Sequence, residues 1–208
     1  MSRGPRLRTA LVLDDEQERR TQMCEELAVH GVVSDQADTV GQAIRKLAAD
    51  SFDLVLCDIV LCDPPGTPTP AVRGYQAVCY ALARHPASVV VQASTHRRWV
   101  HPGAVLANWS AQEVADLVYG AAGVRVPRDG GSGCPWAKLR DAEAASPAER
   151  PDAVRALLRL PIAAELGRAL RLDSAFDALE GAARDGRRWG RALADVRAAL
   201  FPGLDGGV

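Results

Sequence analysis

The sequence lacks the features that mark membrane, secreted and cysteine-rich proteins. No apolar run approaches the ~20 residues that a membrane span needs, and the apolar stretch at residues 9–13 is too short for the core of a signal peptide. The five cysteines are odd in number and include no Cys-x-x-Cys pair. This favours reduced thiols over a disulfide framework or a metal site. We therefore expect a soluble cytoplasmic protein that does not bind a membrane.

Charge is also nearly balanced. The formal net charge is −1, so no overall excess of one sign points to nucleic acid or to a membrane surface. With 48% hydrophobic and 25% charged residues, the composition is typical of a folded globular protein. The 208 residues suffice for one large domain or two small ones.

The first half of the chain alternates short apolar runs with helical patterns. The predicted strands are residues 9–13, a short strand from residue 32, and residues 52–57, 88–93 and 104–107. The predicted helices are residues 17–30, a helix with Asp38 as N-cap that ends near residue 50, and residues 74–84 and 110–119. Alternation on this scale predicts an α/β fold with a parallel sheet covered by helices on both faces.

The second half contains no strand candidate. Residues 123–145 are predicted to be a linker, because their first part is rich in Gly and Pro and lacks periodicity. Residues 146–208 are predicted to form a small all-α domain. Its helix signals are a capping box at residues 146–149, Pro161 and Asp173 at helix starts, and an amphipathic pattern over residues 189–200. The predicted domains are thus residues 1–122 and 146–208.

Three acidic residues follow the predicted strands of the first domain. Asp14 and Asp15 come directly after the first strand, and Asp58 follows the third. In a doubly wound sheet, ligands bind beyond the carboxyl ends of the strands. Three clustered carboxylates call for a hard cation such as Mg²⁺, and one of them could attack a phosphoryl group to form an acyl phosphate. The alternative is that Asp14 and Asp15 only cap the first helix while Asp58 only ends a strand.

Two runs carry a family resemblance. Leu11-Val12-Leu13-Asp14-Asp15-Glu16 and, later, Asp53-Leu54-Val55-Leu56-Cys57-Asp58 are similar to the response-regulator receiver family, over about residues 8–122. The resemblance implies a flavodoxin-like, five-stranded parallel sheet of order 2-1-3-4-5. It implies that Asp58 is the phospho-acceptor, that Mg²⁺ is bound by Asp14, Asp15, Asp58 and the backbone carbonyl of Val60, and that a histidine kinase or another phosphodonor supplies the phosphoryl group. No enzyme activity is expected beyond self-catalysed phosphoryl transfer to Asp58.

The resemblance is incomplete at the ends of the fourth and fifth strands. The family has a Lys after strand five, where this sequence has Asn108, and a neutral amide cannot pair with a phosphorylated aspartate as a cation does. The family's Ser or Thr after strand four corresponds to Ser94, or to Ala93 if the register shifts by one. We predict that Ser94 and Asn108 line the phosphoryl site. Residues 94–104 are predicted to form a short or irregular crossover instead of a long helix.

These departures predict a weakened switch. Without the lysine, phosphorylation should shift the conformational equilibrium less, so the unphosphorylated protein is predicted to occupy a partner-competent conformation already. For the helical domain we expect binding to a protein partner or homodimerisation. The alternative is a DNA-binding transcriptional regulator, because four arginines form a basic cluster. They are Arg184, Arg187, Arg188 and Arg191.

Overall fold

Parallel strands build one sheet in the first of two units of the chain, Met1–Asp129. The computed structural model describes residues 7–63, 71–93, 101, 104–107 and 134–204. The strands are β1 Thr9–Leu13, β2 Val33–Ala37, β3 Leu54–Asp58, β4 Val89–Ala93 and β5 Val105–Ala107. They are hydrogen-bonded in the order β2-β1-β3-β4-β5, and β5 is a three-residue strand at one edge. The predicted parallel α/β fold is confirmed.

The central strands β1 and β3 are mostly apolar and almost entirely buried. Every residue of β3 is buried, and β1 is buried from its second residue onward. The register pairs Leu11 with Val55 and Asp58 with Ala93. By contrast, the edge strand β2 is mostly exposed, with Val33 at 74% of its full accessibility. Its polar residues explain why the sequence predicted only its beginning.

Helices flank this sheet. They are α1 Gln17–Val29, α2 Val40–Ala49 and α3 Gly74–Arg84. Helix α1 lays Met23 and Leu27 on a cluster that includes Val12 and Leu56 of the sheet. The predicted N-cap Asp38 of α2 is wrong by one residue: the Thr39 hydroxyl accepts a hydrogen bond from the Gln42 backbone N–H at 3.2 Å. The cap is therefore the Thr39 hydroxyl, which satisfies one of the N–H groups that the first turn of a helix leaves unpaired.

Helices make up the described part of the second unit, Gly130–Val208. They are α4 Pro135–Ala144, α5 Arg150–Leu158, α6 Pro161–Leu170, α7 Asp173–Asp185 and α8 Trp189–Leu200. The core contains Leu157, Leu166 and Val196, all fully buried, and the rings of Trp136 and Phe201 meet edge to face at 5.5 Å. No helix within the described ranges is long and apolar enough to cross a bilayer.

Helix α4 corrects the predicted linker over residues 123–145. Its Leu139 and Ala142 are buried, and it packs against α5 and α8. Pro135 at its first position is compatible with a helix start. The linker prediction is therefore wrong for Pro135–Ala144, because a short helix with three buried positions gives little periodicity. Residues 123–133, like the predicted helix at 110–119 and most of the predicted crossover at 94–104, lie outside the described residues.

Candidate functional site

The three predicted acidic residues lie together at the carboxyl edge of the sheet. Asp14 follows β1, and Asp58 is the last residue of β3, the strand paired with β1. One carboxylate oxygen from each of Asp14, Asp15 and Asp58 lies within 4.8 Å of the other two. Asp14 is fully buried and Asp58 is 6% exposed. We call these three residues the acidic pocket.

Backbone N–H groups of the neighbouring loops orient each carboxylate. Asp14 Oδ1 accepts a hydrogen bond from the N–H of Glu16 at 2.7 Å. Asp58 Oδ1 accepts one from the N–H of Val60 at 3.1 Å. Asp15 Oδ2 accepts one from the N–H of Cys62 at 2.9 Å. Each acid thus keeps a second oxygen that can face the centre of the pocket.

Glycine at position 74 lets helix α3 start directly against Asp58. A Cβ atom on Gly74 would lie 1.9 Å from the backbone oxygen of Asp58, much closer than any real contact between two atoms that are not bonded. The N–H of Gly74 also donates to the carbonyl of Ile59 at 3.1 Å. The backbone around the end of β3 is therefore fixed by α3 as well as by the sheet.

Arg19 is the member of the site that the sequence analysis missed. Its Nη2 atom lies 3.2 Å from Asp14 Oδ1 and 3.3 Å from Asp58 Oδ2. Its Nε atom lies 3.1 Å from Asp14 Oδ2 and 3.2 Å from Glu16 Oε2. A signal was present: Arg19 lies in the first turn of α1, and helical side chains lean towards the N-terminus. That direction leads back to Asp14 and Asp15.

Burial and mutual repulsion disfavour the charged form of the pocket. Burial raises the pKa of Asp58 to about 7; the Val60 N–H opposes this shift, the Asp14 charge adds to it, and the Arg19 charge opposes it. Burial also raises the pKa of Asp14, against the Glu16 N–H and the Arg19 charge. A bound cation would therefore relieve an electrostatic cost that the fold imposes on these carboxylates.

The pocket has the donor atoms that Mg²⁺ prefers. All three side chains offer hard carboxylate oxygens. Asp14 Oδ2 is buried and accepts no hydrogen bond from the described residues, since Arg19 Nε at 3.1 Å is outside hydrogen-bond geometry. An oxygen of this kind is a free ligand position. The residues present therefore fit a divalent cation.

The remaining predicted site residues have mixed outcomes. The Val60 N–H donates a hydrogen bond to Asp58 Oδ1. The role of the Val60 carbonyl as a metal ligand stays a prediction. Ser94 and Asn108 lie outside the described residues. The register places Ala93 opposite Asp58 on the neighbouring strand. The residue beside Asp58 on β4 therefore has no hydroxyl group.

Comparison with known proteins found matches among solved structures. No family model matches the sequence, and no curated protein matches it. The response regulator TrrA of Thermotoga maritima, in complex with Mg²⁺-BeF, is 21% identical, with 54% of this chain and 96% of that chain covered and a TM-score of 0.43.

A response regulator from Burkholderia pseudomallei with a phosphorylated aspartic acid and a calcium ion is 16% identical, with 79% of this chain and 92% of that chain covered and a TM-score of 0.40. Full-length FixJ from B. japonicum is 15% identical, with 92% and 89% covered and a TM-score of 0.43. These structural neighbours are response regulators, the family that the two acidic runs resemble.

Proposed function

We propose that this protein is an atypical response regulator of two-component or phosphorelay signalling, in which Asp58 accepts a phosphoryl group. The observation that carries the proposal is the convergence of Asp14, Asp15 and Asp58 at the carboxyl edge of a parallel sheet, within 4.8 Å of one another. Ligands of doubly wound folds bind at this edge. The alternative, in which these acids only cap a helix and end a strand, assigns no role to the buried oxygen of Asp14 that accepts no hydrogen bond from the described residues.

The reaction would transfer a phosphoryl group from a donor molecule to the carboxylate of Asp58. An oxygen of ionised Asp58 attacks the phosphorus atom, a P–O bond to the carboxylate forms, and the bond between phosphorus and the donor group breaks. The Val60 N–H donates to Asp58 Oδ1 and so orients the carboxylate at the end of β3. Asp14, Asp15, Asp58 and the Val60 carbonyl would hold Mg²⁺, which supplies positive charge beside the transferring oxygens when bound.

A protein with this role would interact with a phosphodonor and would have no substrate to convert into a product. The phosphoryl group would come from a histidine kinase or from a small phosphodonor, and the protein would catalyse no reaction apart from its own modification. The described cysteines are free thiols, which suits the reducing cytoplasm where such a kinase domain would act.

The helical unit would bind a protein partner or a second copy of the chain. Its basic cluster of Arg184, Arg187, Arg188 and Arg191 is partly neutralised by acidic neighbours. Arg184 lies 3.4 Å from Glu180 and Arg191 lies 3.9 Å from Asp195. Such pairing reduces the positive field that DNA binding needs.

The phosphorylation proposal is tested by exposing the full chain to acetyl phosphate and Mg²⁺ and measuring its intact mass. Wild type should gain one phosphoryl group, and Asp58→Asn should gain none. Asp35→Asn is the matched control, because Asp35 is an exposed carboxylate of β2 that pairs with Lys46 away from the pocket. The proposal fails if Asp58→Asn is modified as much as the wild type, or if the wild type is never modified.

The DNA-binding alternative is tested by a gel shift with a salt titration. We expect no shift of random duplex DNA at physiological salt, and no steep salt dependence. An affinity that falls steeply with salt, and that is lost in Arg187→Gln/Arg188→Gln, would favour a transcriptional regulator instead.

A further inference from the structure

A basic side chain of the protein, that of Arg19, lies in the acidic pocket. The Arg19 guanidinium contacts Asp14 through two nitrogens, at 3.1 and 3.2 Å, and Asp58 through one, at 3.3 Å. Among the described residues, Arg19 is the one basic side chain within ion-pair distance of any of the three pocket carboxylates. It contacts both acids that are almost fully buried, where desolvation is most costly.

Arg19 and a divalent cation would compete for the same oxygens. Asp14 Oδ2 is the oxygen without a hydrogen bond, and Arg19 Nε lies against it. The Val60 N–H donates to Asp58 Oδ1, and Arg19 Nη2 lies against the other oxygen, Oδ2. A metal ion that binds these atoms would bring two positive charges next to the guanidinium, and like charges repel strongly in a buried site.

Arg19 has a place to go when the metal binds. Its side chain is 38% exposed, so it can leave the pocket without breaking the core. Glu16, whose side chain is 63% exposed, already contacts Arg19 Nε at 3.2 Å. A rotation of the guanidinium towards Glu16 and solvent would free the carboxylate oxygens and retain one ion pair.

From these contacts we propose that Arg19 is a tethered counter-ion that competes with Mg²⁺ for the acidic pocket and thereby sets the protein's affinity for the metal. The inference rests on the proposed function, since it takes the pocket to be the Mg²⁺ site. It adds that, in the absence of metal, the positive charge of Arg19 balances part of the negative charge of the pocket. Metal binding therefore requires Arg19 to move.

The test measures the Mg²⁺ dissociation constant of the full chain by isothermal titration calorimetry at pH 8. Arg19→Gln removes the competing charge and should tighten Mg²⁺ binding by about tenfold or more, which corresponds to about 1.4 kcal/mol. Arg19→Lys keeps the positive charge but loses the planar fork of donors, so its affinity should lie between those of the wild type and Arg19→Gln. Circular dichroism checks that each variant is folded.

Two further variants separate direct competition from a general charge effect. Arg20 is the adjacent residue, and its guanidinium donates to the backbone oxygen of Asp14 at 2.6 Å instead of to a carboxylate. Arg45 is an exposed residue of α2. Arg45→Gln should change the affinity by less than about threefold, because an exposed charge is screened by solvent. Arg20→Gln should tighten binding less than Arg19→Gln does, because Arg20 leaves the carboxylate oxygens free.

Each outcome bears on a different claim. Unchanged or weaker Mg²⁺ binding by Arg19→Gln, or equal tightening by Arg20→Gln, overturns the role of Arg19 and leaves the proposed function standing. If no variant binds Mg²⁺ at millimolar concentration, and acetyl phosphate does not modify the wild type, both the inference and the proposed function fail.

Discussion

At the scale of single residues, burial gives Asp58 two opposing properties. It holds the carboxylate in a fixed position, with Oδ1 on the Val60 N–H. It also raises the pKa of Asp58 to about 7, far above the ordinary value of 3.8, so that ionisation is costly in the metal-free protein. An aspartate that served only structure would be expected to have more hydrogen bonds and a lower pKa. Burial of Asp58 therefore costs stability at the position where the proposed function needs an ionised carboxylate.

The raised pKa predicts a pH-dependent stability difference between wild type and Asp58→Asn. The folded protein holds the Asp58 proton more tightly than the unfolded chain does, so the wild type loses stability as pH rises from about 4 through 7. Above pH 7 the amide variant should be more stable by about 1–3 kcal/mol, and below pH 4 the difference should vanish. Urea denaturation without Mg²⁺, at pH 4, 6 and 8, measures it. If wild type and Asp58→Asn had equal free energies of unfolding at pH 8, ionisation of Asp58 would not destabilise the fold and the prediction would be wrong.

At the scale of secondary-structure elements, the site depends on how closely α3 approaches the end of β3. Gly74 is the first residue of α3, and the absence of a side chain lets the helix begin against the backbone of Asp58. The same contact lies beside the loop whose Val60 and Cys62 N–H groups orient Asp58 and Asp15. A shift of α3 should therefore disturb the site as well as the core.

Gly74→Ala should lower both stability and phosphorylation. The new Cβ would meet the Asp58 carbonyl at 1.9 Å, and backbone cannot yield as a flexible side chain does. We expect a loss of about 1–3 kcal/mol of unfolding free energy, typical of overpacking. The rate of modification by acetyl phosphate should fall as well.

Gly181→Ala is the matched control. Gly181 lies inside α7, where a Cβ would have no neighbour within 4 Å. This variant should gain about 0.5–1 kcal/mol from helix propensity and leave modification unchanged. Chemical denaturation and intact mass measure both effects. A Gly74→Ala protein as stable and as readily modified as the wild type would show that α3 can move aside.

At the scale of the whole molecule, the proposed function raises the question of how much phosphorylation of Asp58 would change the conformation and assembly of the protein. The register sets Ala93, a residue without a hydroxyl, beside Asp58, and the sequence has Asn108 where the family has lysine. Fewer side chains can therefore form charge-assisted hydrogen bonds to a phosphoryl group on Asp58.

We predict that phosphorylation changes the assembly and conformation of the chain little. A ligand shifts an equilibrium only by its difference in affinity for the two states, and here that difference should be small. Wild type treated with beryllofluoride and Mg²⁺ should keep its sedimentation coefficient and its tryptophan fluorescence to within small changes. Asp58→Asn is the control. A large change in both signals that depends on Asp58 would show instead that the switch is intact.

Patterns within short stretches of sequence determined a large part of this protein. The apolar runs of β1, β3 and β4 and the helical periods of α1, α3 and α8 predict bounds close to the observed ones, and Pro161 predicts the start of α6. Buried elements are apolar throughout or on one face, so their own residues report their environment. The acids Asp14, Asp15 and Asp58 were found in the same way, since each directly follows a recognisable strand.

Only the tertiary structure decided the features that depend on distant neighbours. Most of β2 is polar because it is an edge strand, and α4 is buried by partners that follow it in the chain. The pairing of Ala93 with Asp58 depends on register between two strands. The bridge from Arg19 to Asp58 joins residues that are 39 positions apart. Local sequence sets the propensity of each segment, whereas contacts between segments depend on how they pack, and the candidate site consists of such contacts.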